Sequence, residues 1–303
     1  MTGSTLAAVA AELDAMYDPA WAEPWDAVGL VCGDPAQPVR RILFAVDPVA
    51  SIVREAIDWR ADLIVVHHPL YLRGTTSVAA TTHKGRVIHQ LIKNDMALYT
   101  AHTNADVAEP GVSDALAWSV GLIGHLRPLQ PLPDDMRRGL GRVGELPEKI
   151  TLREFTGLVS EGLPSTAGGL RVAGDPDRLV RTVAVSGGAG DSLLDRARAA
   201  GVDVFLTADL RHHPASEFVE AGAATGGPAL IDAAHWATEW PWLADAATRL
   251  TSRLGAKGTT VETRVSDTVT DAWTATATNP ANGIVSPAHS QDIPQGGMAR
   301  SLR

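Results

Sequence analysis

The chain reads as an α/β protein: two similar strand–helix halves with largely parallel sheets that enclose a cleft. Three observations predict this. Short β-branched and aliphatic runs alternate with amphipathic helical stretches, the pattern of parallel strands covered by helices. The alternation occurs twice, since residues 42–47, a helix and residues 61–70 are matched by residues 182–190, a helix and residues 202–213. Polar side chains also gather just after successive strands, and in open α/β sheets the carboxyl ends of strands are where ligands bind. The expected organisation is a first half over 1–126, a connecting segment over 127–179, a second half over 180–267 and a mostly disordered tail over 268–303.

Residues from about 5 to 17 carry Leu6, Val9, Leu13 and Met16 on one face behind a Ser4 or Thr5 cap, which predicts a helix. Residues 21–30 are a turn-rich loop with two tryptophans. Its Trp25 and Leu30 are expected in the core, and Asp26 is free to cap or to support a site. Residues 41–46 form a strand ended by Asp47-Pro48, and the next helix turns Ile52, Val53, Ala56 and Ile57 inward. Asp62-Leu-Ile-Val-Val-His67-His68-Pro69 is a buried strand that stops at two adjacent histidines, where Pro69 ends the ladder. A Gly/Thr/Ser loop through 74–82, a helix over about 84–93 and a strand over 96–100 follow.

The connecting segment is rich in Pro and Gly, and Thr151 and Glu154 have the capping-box spacing that opens a short helix. Strands are expected at 182–185, 202–206 and 229–232, with Ser186-Gly-Gly-Ala-Gly190 as a tight turn before a helix carrying Leu193, Leu194 and Ala197. Pro241 marks a position where regular helix could first begin, with Leu243 and Leu250 following. Residues 259–265 alternate as a strand. From about Thr268 the composition cannot bury enough apolar surface to order itself, although Trp273 is a candidate anchor for its start.

Composition narrows the function classes. The 303 residues are 45% hydrophobic, enough for a sizeable core, and carry a net charge of −9 with no cluster of five or more basic residues. That disfavours a nucleic-acid partner. No apolar run is long enough to span a bilayer and the N-terminus has no signal-peptide pattern, so no membrane partner and a cytoplasmic location are expected. The single cysteine, Cys32, excludes an internal disulfide and a cysteine-rich zinc site, and its neighbours Val31 and Gly33 fit a small buried hydrophobe.

Four strand ends offer metal-ligand side chains: His67 and His68; His102 and Asp106; Asp209, His212 and His213; His235 and Glu239. An isolated histidine pair reads equally well as one core and one surface residue, and Asp106 alone could cap a helix near Val112. Company changes that balance. His235 and Glu239 are four apart, hence on one face if the segment is helical. Nitrogen and oxygen donors without thiolate suit Zn, Fe or Mn. Two carboxylates and three histidines exceed what one catalytic zinc needs, so the count favours a dinuclear centre. His83, His89, His125 and His289 lack such company and read as surface or satisfied histidines. No Gly-x-Ser-x-Gly elbow supports a serine hydrolase, and the glycine-rich turn lacks a phosphate-loop lysine.

His67-His68-Pro69-Leu70, His102-Thr-Asn-Ala-Asp106 and His235-x-x-Thr-Glu239 together resemble three signatures of the dinuclear-metal family called GTP cyclohydrolase I type 2, or NIF-three-like. Trp25-Asp26-x-x-Gly29-Leu30, Gly141-Arg-Val-Gly-Glu-Leu146 and Ser186-Gly-Gly-Ala-Gly190 match it in order and spacing, so the resemblance spans about residues 5–272. Leu70, Ala27, Ala208 and Ala234 depart from its usual residues without removing a ligand. The resemblance implies His67, His68, Asp106, His235 and Glu239 as ligands of two divalent transition-metal ions per chain, in a ring-shaped homohexamer. It implies hydrolysis of a small molecule, in the named case attack on C8 of GTP with loss of formate. His102, Asn104, Asp209 and His212 are then candidates to support the ligands or face the substrate. Alternatives are a phosphoesterase or other amidohydrolase, and a non-enzymatic metal-binding scaffold.

Overall fold

The computed structural model describes residues 4–223 and 226–277. The chain opens with β1 (Ser4–Thr5) and α1 (Leu6–Met16), where the Thr5 hydroxyl accepts the Ala8 N–H as N-cap. β2 (Gly29–Cys32), β3 (Pro38–Val39), β4 (Arg41–Ala45), α2 (Ala50–Trp59), β5 (Leu63–Val66), α3 (His83–Lys93) and β6 (Ala97–Thr100) follow. Two short helices, α4 (Thr103–Val107) and α5 (Val112–Ser119), lead out of the first half.

The connecting segment is not merely a linker. It forms the long hairpin β7 (Ile123–Leu132) and β8 (Asp135–Thr151), followed by α6 (Leu152–Gly162) and β9 (Arg171–Ala173). Prolines obscure this hairpin in the sequence, but β7 is an edge strand, where Pro128 and Pro131 break no interior ladder. Thr151 and Glu154 form the expected capping box of α6. The remaining elements are β10 (Leu179–Ala189), α7 (Leu194–Ala199), β11 (Val204–Ala208), α8 (His212–Ala223), β12 (Ala229–Ala233), α9 (His235–Ala256) and β13 (Glu262–Val265).

Among the described residues the strands form two sheets, beside the small β1–β3 pair. The five-stranded sheet runs β13-β4-β5-β6-β2, parallel except for β2. The six-stranded sheet runs β7-β8-β10-β11-β12-β9 and is mixed: β10, β11 and β12 are parallel, and the hairpin and β9 pair antiparallel. β5 shows why its sequence is continuously apolar, since both of its faces are covered. Val65 packs with α1 and α9 through Leu13, Leu243 and Leu250, and Ile64 packs with α2 and α3 through Ile52 and Leu91. The second sheet is covered likewise, by Leu116, Phe155 and Val159 on one face and by Leu193 and Phe218 on the other.

The last part of the second half returns to the first. α9 buries Trp242, Leu243, Ala246 and Leu250 in the core shared with α1, and β13 adds to β4. The sheet boundary therefore falls after β12, not near residue 267, and α9 bridges the halves. α9 also begins at His235 rather than at Pro241, which lies inside it. Trp236 and Trp242 flank that proline and are buried, so packing offsets the one backbone hydrogen bond it removes.

Residues 268–277 run along the body: the Thr268 hydroxyl donates to Glu55, and that of Thr270 to Asp47. The tail beyond 277, with His289, lies outside the described residues. Trp25 and Leu30, expected in the core, are 56% and 38% exposed. Leu30 lies on β2, an edge strand, a position that apolarity alone does not reveal. Cys32 is half-buried against the core, and burial pushes its thiol up.

Candidate metal centre

The strand ends converge. His67 and His68 follow β5, His102 caps α4 with Asp106 one turn later, and His235 and Glu239 occupy the first turns of α9. Three Nε2 atoms face the Glu239 carboxylate: His235 at 2.9 Å from Oε1, His68 at 3.0 Å from Oε2 and His67 at 3.4 Å from Oε1. Asp106 Oδ1 stands 3.7 Å from His67 Nε2. His68 and His235 bring their Nε2 atoms within 3.2 Å. Among the described residues two overlapping groups could each hold an ion, His67, His68 and His102 in one and His68, His235 and Glu239 in the other. His102 thus stands in the cluster itself rather than behind it.

Each ring is held from its other nitrogen. His67 Nδ1 lies 2.9 Å from the Ala101 carbonyl, which can only accept, so Nδ1 carries a proton and Nε2 is the nitrogen turned toward the cluster. Asp47 holds His68 Nδ1 at 2.7 Å, Asp209 holds His235 Nδ1 at 2.8 Å and Asp26 holds His102 Nδ1 at 2.9 Å. A carboxylate or carbonyl behind each imidazole is the usual way a protein sets a metal ligand's tautomer and orientation. Asp26 also accepts the Thr103 N–H and hydroxyl, which pins the loop before β2 to the start of α4.

The donor set fits a cation on this geometry. His67 Nε2 and Glu239 Oε2 are buried without a hydrogen-bond partner, although each lies close to an atom of the cluster. Imidazole lone pairs facing carboxylate oxygens repel unless a positive charge lies between them. With no metal the charge comes from protons. Burial alone would lower His68, but Glu239 and Asp47 outweigh it and raise the ring to about 11. His235 is likewise raised to about 9 by Glu239 and Asp209 against the pull of burial. Burial pushes Asp106 up to about 6, and the same three histidines hold Glu239 well below the usual carboxylate range despite its burial. Burial and the neighbouring His67 keep His102 down at about 4, hence neutral.

The remaining candidates take different places. Asn104 is fully buried and structural, its Oδ1 accepting the His102 N–H and its Nδ2 donating to the Tyr17 carbonyl. Asp209 faces the back of His235 rather than the cavity beside the cluster. It adopts φ +55°, a left-handed conformation that turns the chain at the end of β11. His212 is not at the centre: it opens α8, exposed, ring to ring with His213. The glycine-rich turn is a wall of the site, which sequence reasoning missed. A Cβ on Gly188 would lie 2.6 Å from Glu239 Oε1 and 3.1 Å from His235 Nε2, and Gly188 has φ +66°. Two adjacent glycines at a strand end were the available signal. A cavity of about 560 Å³ opens beside the cluster, lined by Trp25, His102, Asp106, Gly188, His235 and Glu239 among others.

A family model described as Duf34/NIF3 (NGG1p interacting factor 3) matches residues 4–272. A Streptomyces coelicolor protein named GTP cyclohydrolase 1 type 2 homolog is 60% identical over 272 residues, covering 89% of this chain and 94% of its own. A Mycobacterium tuberculosis protein of the same name is 37% identical, with coverage of 88% and 96%. Among solved structures, a Bacillus cereus protein related to NIF3 aligns with a TM-score of 0.78 at 25% identity, covering 90% of this chain and 99% of that one. A Staphylococcus aureus hypothetical protein aligns equally well, at 26% identity and the same coverage. With the family model spanning nearly its whole described length and a 60% identical relative covered to 94%, the chain belongs to the Duf34/NIF3 family.

Proposed function

We propose that the centre takes two divalent transition-metal ions, Zn, Fe or Mn, and that the chain is a metal-dependent hydrolase of a small molecule, of the GTP cyclohydrolase I type 2 kind. One observation carries the reading: the Nε2 atoms of His67, His68 and His235 converge within 3.4 Å of the one buried Glu239 carboxylate, in a cluster whose other ring nitrogens are fixed from behind. Two ions are supported by the donor count, three imidazoles and two carboxylates, more than one catalytic ion needs, with carboxylates able to bridge. His67, His68, Asp106, His235 and Glu239 would hold the ions, and the neutral His102 stands at the cavity side beside them. Such ions supply Lewis acidity and make water nucleophilic near neutral pH. The name carried by the Streptomyces and Mycobacterium relatives supports GTP as the first substrate to try. A ring-shaped homohexamer belongs to the same proposal, and a native mass of six chains would bear it out.

Elemental analysis of protein purified without chelator, beside His68→Ala and Glu239→Gln, tests the metal. Up to two ions per wild-type chain and a clear loss in both variants are expected; equal metal in all three would overturn the ligand set. Mn-, Fe- and Zn-loaded protein is then offered GTP, other nucleotides and simple phosphodiesters, following formate and phosphate. Formate from GTP supports the cyclohydrolase, and phosphate release alone would make the chain a phosphoesterase. A fully loaded protein that turns over none of them would favour the metal-binding scaffold.

A further inference from the structure

Trp25, one of two tryptophans before β2, is more than half exposed. It lines the cavity beside the metal centre, with Asp106 and Glu239 on the same wall system. Its exposure is not that of a loose loop. Asp26, the next residue, takes hydrogen bonds from His102, from the Thr103 N–H and from the Thr103 hydroxyl. Glu23, two residues earlier, donates its N–H to the same Thr103 hydroxyl at 2.9 Å. Both flanks of Trp25 are thus tied to α4, the helix that carries Asp106. The indole stands edge-on to the His102 ring, with centroids 6.0 Å apart and planes at 78°. Uncharged polar groups of Gln130, Ser113 and Ser186 line the same cavity and offer hydrogen bonds without a charge.

A rigidly held, open indole next to a reactive centre leaves hydrophobic area uncovered that the fold alone has no use for. We infer that Trp25 is the platform on which a planar aromatic or heteroaromatic ring of the substrate stacks, holding that ring beside the metal-ligand cluster. The inference rests on the small-molecule reading of this site, and it makes Trp25 a specificity-determining residue. The cavity, at about 560 Å³, is within the range that encloses a ring system with a substituent.

The test is binding, measured apart from turnover. Metal-loaded full-length wild type, Trp25→Ala and Trp25→Phe are titrated calorimetrically with guanosine, adenosine, pterin and benzoate, and with ribose 5-phosphate as a probe without an aromatic ring. At least one ring probe should bind wild type. Trp25→Ala should weaken it roughly tenfold, the scale of one aromatic stack, while Trp25→Phe stays within a few-fold. Metal content, melting temperature and assembly mass should match across the three proteins. The inference is overturned if no ring probe binds wild type, if Trp25→Ala binds rings as wild type does, or if ribose 5-phosphate binds tighter than every ring. A changed assembly mass in Trp25→Ala with unaltered ring binding also overturns it and assigns Trp25 to a subunit contact. Trp25-dependent binding without any turnover would remove the hydrolase and leave the platform standing.

Discussion

Asp62 and Asp203 perform the same task in the two halves. Asp62 Oδ2 accepts the consecutive N–H groups of Arg40 and Arg41 at 2.7 and 2.8 Å, and Asp203 Oδ2 accepts those of Arg181 and Thr182 at 2.8 Å each. The carbonyl of each aspartate then receives the N–H that opens the third strand, Ala97 in one half and Ala229 in the other. One residue in each half thereby ties together the starts of three parallel strands, which is physical support for an internal duplication. Replacing either aspartate by alanine strips an acceptor from two backbone donors at once. Asp62→Ala and Asp203→Ala should each lower the unfolding free energy by about 1–2 kcal/mol in urea titration. The asparagine variants, which keep an acceptor oxygen, should lose less. An alanine variant indistinguishable from wild type would show that water replaces the carboxylate without cost.

The strands that carry the site were legible because they are buried on both faces and so read as unbroken apolar runs, as Leu63–Val66 does. The residues of the cluster were legible because each follows such a run. The relation between the halves was less so. Ala97 pairs with Leu63 and Ala229 with Val204, yet His102 lies five residues beyond Ala97 and His235 six beyond Ala229. The two histidines, each with a carboxylate four residues on, are therefore one residue out of register. Asp26 and Asp209 stood out as possible supports from their places in a loop and at a strand end, but Asp47, which holds His68, reads in the sequence only as the end of a strand. Trp25 misled because apolarity predicts removal from water, not which surface does the removing.

Gly188 should tolerate no side chain. Gly188→Ala places a Cβ against Glu239 and His235 and forces a left-handed backbone on alanine. Neither contact can yield without moving an atom of the cluster. Metal content should fall well below wild type by elemental analysis, whereas Gly157→Ala, with nothing within 4 Å of its Cβ, should leave metal unchanged.

Asp209 and His212 are near neighbours in sequence but not in role. Asp209 holds the ring of His235 at 2.8 Å, so Asp209→Ala should weaken metal binding by about 10–100-fold in competition with a chromophoric chelator. His212, on the exposed start of α8, should be replaceable by alanine without any change. Equal losses in the two variants would mean that the β11–α8 turn acts as a unit rather than through the Asp209 carboxylate.

Glu12 gives a pH dependence remote from the metal. It lies on α1, 3% exposed, and accepts from Arg253 at 2.9 Å and from Lys257, joining the first helix to the end of α9. The hydrogen bond from Lys257 holds its carboxyl below the usual value, with Arg253 adding to the effect and burial opposing it. A depressed carboxylate contributes stability that is fully present above its unfolded pKa, about 4.3, and is lost as pH falls through the lower folded value. Glu12→Gln keeps the shape and removes the charge. The variant should therefore melt below wild type at neutral pH, by a few degrees, as a loss of about 1 kcal/mol would produce in a chain of this size. The gap should hold down to about pH 5 and close progressively below pH 4, as wild type itself takes up the proton. Melting curves of both proteins from pH 3 to 8 measure it. Melting curves that coincide at every pH would mean that the glutamate acts through packing of its methylenes, which glutamine keeps, not through its charge.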